Sequence, residues 1–322
     1  MRKLLPLLLL SLLLSGCSRD PLNAVVQTAP ADVPAPMIDG LPENEDQATL
    51  WFRLGEEPFL AAESRTITHS RTEGHALAIL RALAAGPSTA SSGLNSLFPP
   101  GTQVISATQS DRVMFVTLSR HIMNGYADEP AAWRSHAAWA IEVPLRRQLA
   151  MQSIAATITE NFDVDRVVIL VEQTGNATDS LRLRQAYFTM DGDMSLAEPL
   201  LRDEGLLLTP ARTSEVILQC WQERDFARLY QYVARTDPAT GAARPAEAAF
   251  LDAMAAQPHL LQVRTDGGSV SSDGQTATFT VSGAWMTDGR ELPFEGIVLR
   301  LTREKGIWRV GLSQLTGREA LP

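Results

Sequence analysis

Residues 86–119 read GPSTASSGLNSLFPPGTQVISATQSDRVMFVTLS. Gly86-Pro87 ends a helix, because glycine tolerates the backbone of a helix C-terminus and proline cannot continue one. A Ser/Gly loop follows, and then the Phe98-Pro99-Pro100-Gly101 turn. Gln103–Thr108 and Arg112–Leu118 alternate in polarity across a polar turn, which predicts a β-hairpin with Val113 and Phe115 facing inward. The loop's polar groups are Ser, Thr and Asn, suited to hydrogen bonding a partner and not to proton transfer near neutral pH.

Upstream, Ala48–Leu54 reads as a strand with Leu50, Phe52 and Leu54 on one face. Gly55–Pro58 turns the chain and Phe59–Thr68 pairs back. Glu73–Ala85 is a helix whose stripe is Leu77, Leu80, Leu83 and Ala84. Downstream, Pro130–Ile141 and Pro144–Glu160 read as two helices, with Pro144 at the first position of the second. Leu145, Leu149, Ile154 and Ile158 form its buried stripe. Val164–Val171 is almost wholly apolar, which predicts a central strand covered on both faces. Ser180–Thr189 reads as an edge strand, and Met190–Thr209 as a covering loop and short helix.

These segments resemble the GerM domain of sporulation and spore germination proteins. The resemblance rests on the Gly86-Pro87 loop, the Phe98-Pro99-Pro100-Gly101-Thr102 turn before a strand pair, and the Ser153–Glu160 run leading into Val164-Asp165-Arg166-Val167. It covers about residues 47–209 and departs from the family after Val171, where Gly175 comes late. It implies an α/β sandwich in an extracytoplasmic lipoprotein of Gram-positive type, linked to spore formation, germination or envelope signalling. The family has no established catalytic residues.

The last third places helices before strands. Ser214–Gln222 is a helix with Val216, Ile217 and Cys220 inward, Asp225 caps Phe226–Val233, and Ala246–Ala255 is the third helix. Strands follow at Leu260–Thr265, Ser269–Ser271, Thr276–Met286, Glu291–Thr302 and Ile307–Leu315. Asp266-Gly267, Asp273-Gly274, Asp288-Gly289 and Lys305-Gly306 supply turns that need positive φ. Three helices before a curved antiparallel sheet resemble the NTF2-like cone over 210–322. Tyr230, Phe250, His259, Trp285 and Trp308 are the candidate residues of its cavity. The expected fold is therefore α+β, with a GerM-like domain at 47–209 and an NTF2-like domain at 210–322.

The chain opens with Arg2 and Lys3, an apolar run over Leu4–Leu14, and Leu14-Ser15-Gly16-Cys17. The run suits a signal peptide and is too short to span a bilayer. The ending resembles the lipobox of bacterial lipoproteins, so residues 1–17 read as a leader and Cys17 as the lipidated first residue. A diacylglycerol/acyl anchor on Cys17 would then hold the chain at the extracytoplasmic face of the cell membrane, palmitate being a typical acyl group. Pro21, Pro30, Pro34, Pro36 and Pro42 mark 18–46 as a tether. The net charge of −9 argues against nucleic acid as a partner. With two cysteines, one of them lipidated, no disulfide framework forms, and five scattered histidines give no zinc-finger spacing.

No nucleophile elbow, P-loop, zincin or dinucleotide motif is present. Asp191-Gly192-Asp193 is too short for a calcium loop and reads as a turn. Cys220, on an apolar helix face, reads as an inert thiol, and His69, His75, His121 and His136 as surface or packing residues. The chain accordingly reads as a non-enzyme without a cofactor, acting on envelope protein partners. Phe98, Pro99, Pro100, Tyr126 and Trp133 are its candidate partner surface. The alternatives are a small-ligand binder using the C-terminal cavity, and an envelope enzyme whose site is not evident.

Overall fold

The computed structural model describes residues 44–70, 72–88, 93–174, 179–189, 192–287 and 289–316. The leader, Cys17 and the tether up to residue 43 lie outside the described residues, as do Asp191 and Asp288. The described residues form one compact unit, mixed α+β, with three sheets.

The first sheet has the order β2-β1-β3. Strand β1 (Asn44–Leu54) pairs antiparallel with β2 (Leu60–His69), while β3 (Leu94–Asn95) meets only Arg53 and Leu54. Asn44–Asp46, expected in the tether, thus begin a strand. Leu50, Phe52 and Leu54 are buried as expected, but so are Trp51 and Arg53 on the opposite face. Helix α1 (His75–Ala85) buries Ala78, Ile79, Leu80 and Leu83, while Leu77 and Ala84 are half-buried. It ends at Gly86, with φ 95° and its N–H donated to Leu83 O.

The second sheet has the order β4-β5-β6-β7. Strands β4 (Val104–Ser110) and β5 (Val113–Leu118) form the expected hairpin, turning at Asp111 with φ 52°. The inward face is Met114, Val116 and Leu118, not Val113 and Phe115; Phe115 is exposed. Alternation defines two faces without saying which one meets the core. Strand β6 (Arg166–Glu172) runs parallel to β5 in the interior of the sheet. Parallel neighbours need a crossover, and helix α2 (Ala137–Asn161) supplies it. Strand β7 (Ser180–Arg182) is the edge, shorter than expected because Ala186–Thr189 turns into the short helix α3.

The two helices expected around Pro144 are one helix of 25 residues, and Trp133–Ser135 is a 3₁₀ turn before it. An interior proline costs about 3 kcal/mol. Complete burial of a large aliphatic side chain contributes roughly 1.5–3 kcal/mol. Leu149, Met151, Ile154 and Ile158 are all buried, so packing outweighs the lost bond to Ala140.

Helix α2 also completes the first sheet. Strand β1 is paired by β3 only at its end, which leaves Thr49–Trp51 without a backbone neighbour on that side. Ser153 Oγ donates to Trp51 O at 2.6 Å, and Trp51 N donates to Thr157 Oγ at 3.1 Å. Asn161 closes the run, donating to Thr49 O at 2.8 Å and accepting from Thr49 N at 3.0 Å. Residues 153, 157 and 161 lie four apart on one helix face, so α2 acts as a strand neighbour made of side chains.

Helices α4 (Pro210–Glu223), α5 (Phe226–Tyr230) and α6 (Glu247–Ala255) precede the third sheet, as expected. Asp225 caps α5, accepting from Arg228 N at 3.1 Å. The strands are β8 (His259–Val270), β9 (Thr276–Thr287), β10 (Arg290–Glu304) and β11 (Ile307–Val310), in the antiparallel order β11-β10-β9-β8. Asp266-Gly267 is a bulge inside β8, not a turn between two strands, because Thr265 and Gly267 pair with adjacent residues of β9. Further register shifts at Leu260/Gln262 and Phe294/Ile297 add curvature. Helix α7 (Ser313–Thr316) replaces the expected end of the last strand.

Buried residues of 48–208 and 216–315 belong to one continuous core. Glu57, in the β1–β2 turn and 4% exposed, accepts two hydrogen bonds of 2.6 Å from Arg228 of α5. Gly306 in the β10–β11 turn lies against Ala62 of β2.

Candidate functional site

The clearest concavity with exposed apolar walls is a groove of about 470 Å³ beside β7. Its apolar part includes Met123, Leu181 and Met194, which are 50%, 56% and 61% exposed. Arg134, Arg147, Arg182 and Arg184 line it, and no Asp or Glu is among its described lining residues. Arg134 stacks on Trp133 at 4.4 Å, Arg147 stacks on Tyr187 at 4.9 Å, and Arg184 donates to Met194 O. The Tyr187 hydroxyl is buried without a hydrogen-bond partner among the described residues. Burial pushes its pKa up to about 12. The short edge strand leaves Leu181 outward, and α2 brings Arg147 alongside it. Chemically, the groove suits an apolar segment carrying carboxylates.

Residues 49–176 match the family Germane, described as sporulation and spore germination. Over that stretch the chain is similar to a Germane domain. The tandem GerMN domains of the sporulation protein GerM from Bacillus subtilis are similar, at 20% identity and a TM-score of 0.32, over 49% of this chain and 46% of that one. The chain thus spans about half of that structure. The first GerMN domain alone is 17% identical at a TM-score of 0.32, over 49% of this chain and 98% of that one. A candidate lipoprotein from Clostridium perfringens overlaps 52% of this chain and 93% of its own at 20% identity, with a TM-score of 0.27. No curated protein matches.

The groove straddles the end of the Germane-matched stretch, with Met123, Arg134 and Arg147 inside it and Leu181, Arg182 and Arg184 beyond. The partner surface expected from sequence is largely interior. Trp133 and Pro99 are buried, Phe98 and Tyr126 are half-buried, and Pro100 is exposed. Burial raises the pKa of the Tyr126 hydroxyl. A large aromatic beside a proline turn packs more readily than it stays in water, and here Arg134, which stacks on the buried Trp133, is exposed.

Of the candidate cavity residues, Tyr230 and Phe250 pack together. Phe250, Trp285 and Trp308 are buried in the core and His259 is exposed. Tyr230 packs on Phe250 at 5.3 Å and donates to Pro245 O, while Trp285 stacks on Phe294 and packs tilted against Trp221. Cys220 is buried, and burial pushes its thiol up to about 12, as suits an inert residue.

His69 and His75 acquire a carboxylate partner that the sequence reading did not assign. His69 Nε2 lies 3.0 Å from Asp46 Oδ2, and His75 Nε2 lies 3.6 Å from the same oxygen. The two imidazoles stack at 5.1 Å, and Phe162 packs edge-on against His75 at 5.3 Å. The Asp46 hydrogen bond raises the pKa of His69, and the His69 hydrogen bond lowers that of Asp46. Asn44 pairs with His69 and Asp46 with Ile67, so Asp46 and His69 are diagonal neighbours on one face. Carrying the hairpin register back from the Gly55–Pro58 turn would have revealed this pair.

Proposed function

We propose that this chain is a lipid-anchored, extracytoplasmic envelope protein that works by binding another protein, in spore formation, germination or envelope signalling. The observation that carries the binding role is the groove beside β7, apolar within and rimmed by arginines in a chain of net charge −9. Its partner is a segment with apolar side chains flanked by Asp or Glu, which the rim attracts and orients. The Germane match supports the sporulation and germination setting. Leu14-Ser15-Gly16-Cys17 after the apolar run supports the anchor. No helix among the described residues is long and apolar enough to cross a membrane. Residues 210–322 fit the NTF2-like reading in element order. Phe250, Trp285 and Trp308 are buried, and the groove, with its exposed apolar residues, is the better support for a binding role.

A photo-crosslinking amino acid at Leu181 in the full-length protein, expressed in its host, tests this. The expected result is a crosslinked partner whose yield falls at least tenfold with Arg134→Glu and Arg182→Glu together and weakens with salt. An undiminished yield overturns the groove. In the same cells Cys17→Ala moves the protein out of the membrane fraction; retention there overturns the anchor.

A further inference from the structure

We infer that Asp46, His69 and His75 form a binding site for a divalent transition-metal ion, with Zn²⁺ as the ion its chemistry suits best. One ligand atom from each of Asp46, His69 and His75 lies within 4.8 Å of the other two. Zn²⁺ takes ligands at about 2.0–2.2 Å, so the ligand atoms of a tetrahedral site stand roughly 3.2–3.6 Å apart. The two distances from Asp46 Oδ2, 3.0 and 3.6 Å, bracket that spacing.

Hydrogen-bond accounting points the same way. His69 Nδ1 lies 3.1 Å from Ser70 O, and a carbonyl oxygen only accepts, so Nδ1 carries the hydrogen. Facing a carboxylate oxygen, Nε2 then carries either a second proton or a bound cation. Nδ1 donating to a backbone carbonyl while Nε2 faces outward is also how metal-binding histidines are oriented. His75 Nε2 is buried and has no hydrogen-bond partner among the described residues, although a carboxylate lies just beyond bonding reach. An ion between the three would satisfy both nitrogens and the oxygen at once.

The position suits an ion that enters from solvent. Asp46 is half exposed at the start of β1, His69 ends β2, and His75 opens α1. Phe162 walls one side of His75. Three protein ligands leave a fourth position for water or for a group on a partner. Two imidazoles with one carboxylate favour Zn²⁺ over Mg²⁺ or Ca²⁺, which prefer oxygen.

The test uses the full chain in detergent, stripped with chelator and titrated with ZnCl₂ by calorimetry. The expected result is about one Zn²⁺ per chain, unaffected by excess Mg²⁺, with affinity falling roughly 100-fold in His75→Ala and in Asp46→Asn and unchanged in His121→Ala. Far-UV circular dichroism of the metal-free variants checks that they fold. Wild-type protein loaded with Co²⁺ gives a second readout without mutation, the intense visible bands of a tetrahedral nitrogen/oxygen site. Absence of stoichiometric Zn²⁺ uptake by the wild type overturns the site and leaves an imidazolium–carboxylate pair. Undiminished uptake by folded His75→Ala and Asp46→Asn, or only the weak bands of octahedral Co²⁺, overturns it as well.

Discussion

Thr157 and Ser153 are fully buried hydroxyls among the apolar buried residues of α2. Sequence reading marks the Ser153–Glu160 run as a family feature but gives no reason for its hydroxyls. The reason lies over a hundred positions upstream, in the unpaired backbone of Trp51. Thr157→Val keeps the shape of the side chain and leaves the Trp51 N–H buried without an acceptor. It should destabilise the protein by about 1–3 kcal/mol, measured by urea unfolding with the slope unchanged. The same asymmetry explains the histidines. A residue type is visible in sequence, whereas the partner that gives it a role is fixed by strand register, as Asp46 shows for His69. Trp133 errs the other way: an aromatic that looks free to bind a partner is buried.

Among elements, α2 departs most from the sequence reading. Pro144 suggested a helix start, and the packing of the buried face overrode it. Beside that proline, Glu142 joins Arg53 of β1 to Arg146 one turn on; it bonds Arg53 Nη2 at 3.2 Å and Arg146 Nε at 2.6 Å. Burial opposes its ionisation, but the bonds to Arg53 and Arg146 outweigh burial and hold its pKa below the usual 4.5. A depressed carboxylate stabilises the fold above its unfolded pKa. That stability is lost as pH falls below about 4.5 toward the folded value. Glu142→Gln should therefore lower stability at pH 7 by about 1–3 kcal/mol. It should lower it much less at pH 3, so that the acid limb of a melting-temperature profile flattens. The hairpins, the central β6 and the α5 cap were legible because each depends on local chemistry. The facing of β5 and the single β8 were not, because each depends on what lies across the sheet.

At the scale of the molecule, the parts before and after Pro210 are held by a few close contacts as well as by a shared core. A Cβ on Gly306 would come within 2.4 Å of Ala62 O, and the φ there is 95°. Gly274, in the β8–β9 turn, has φ 66° and no atom within 4 Å of such a Cβ. Gly274→Ala should thus cost only backbone strain, about 1 kcal/mol. Gly306→Ala adds a collision between β11 and β2, about 3 kcal/mol in all, which a thermal melt should read as a drop several degrees larger. Sequence could pick both glycines as turn residues, but only the fold separates the crowded one from the free one. The alternating helices and strands of both parts were legible; their common core was not, because it is made by residues far apart in the chain.

The β1–β2 hairpin also determines how the protein answers force. A pull arriving at Asn44 meets the open end of a hairpin whose ten paired positions run from Asn44↔His69 to Arg53↔Leu60. It loads them one after another, as a zip, and not all together in shear. Along the way Asp46 is held by His69, Gln47 donates to Thr66, and at Thr49 Asn161 grips both the amide and the carbonyl. Strain on this strand would be absorbed by reversible peeling of its first few residues, while the rest of the sheet and the groove beyond it keep their shape.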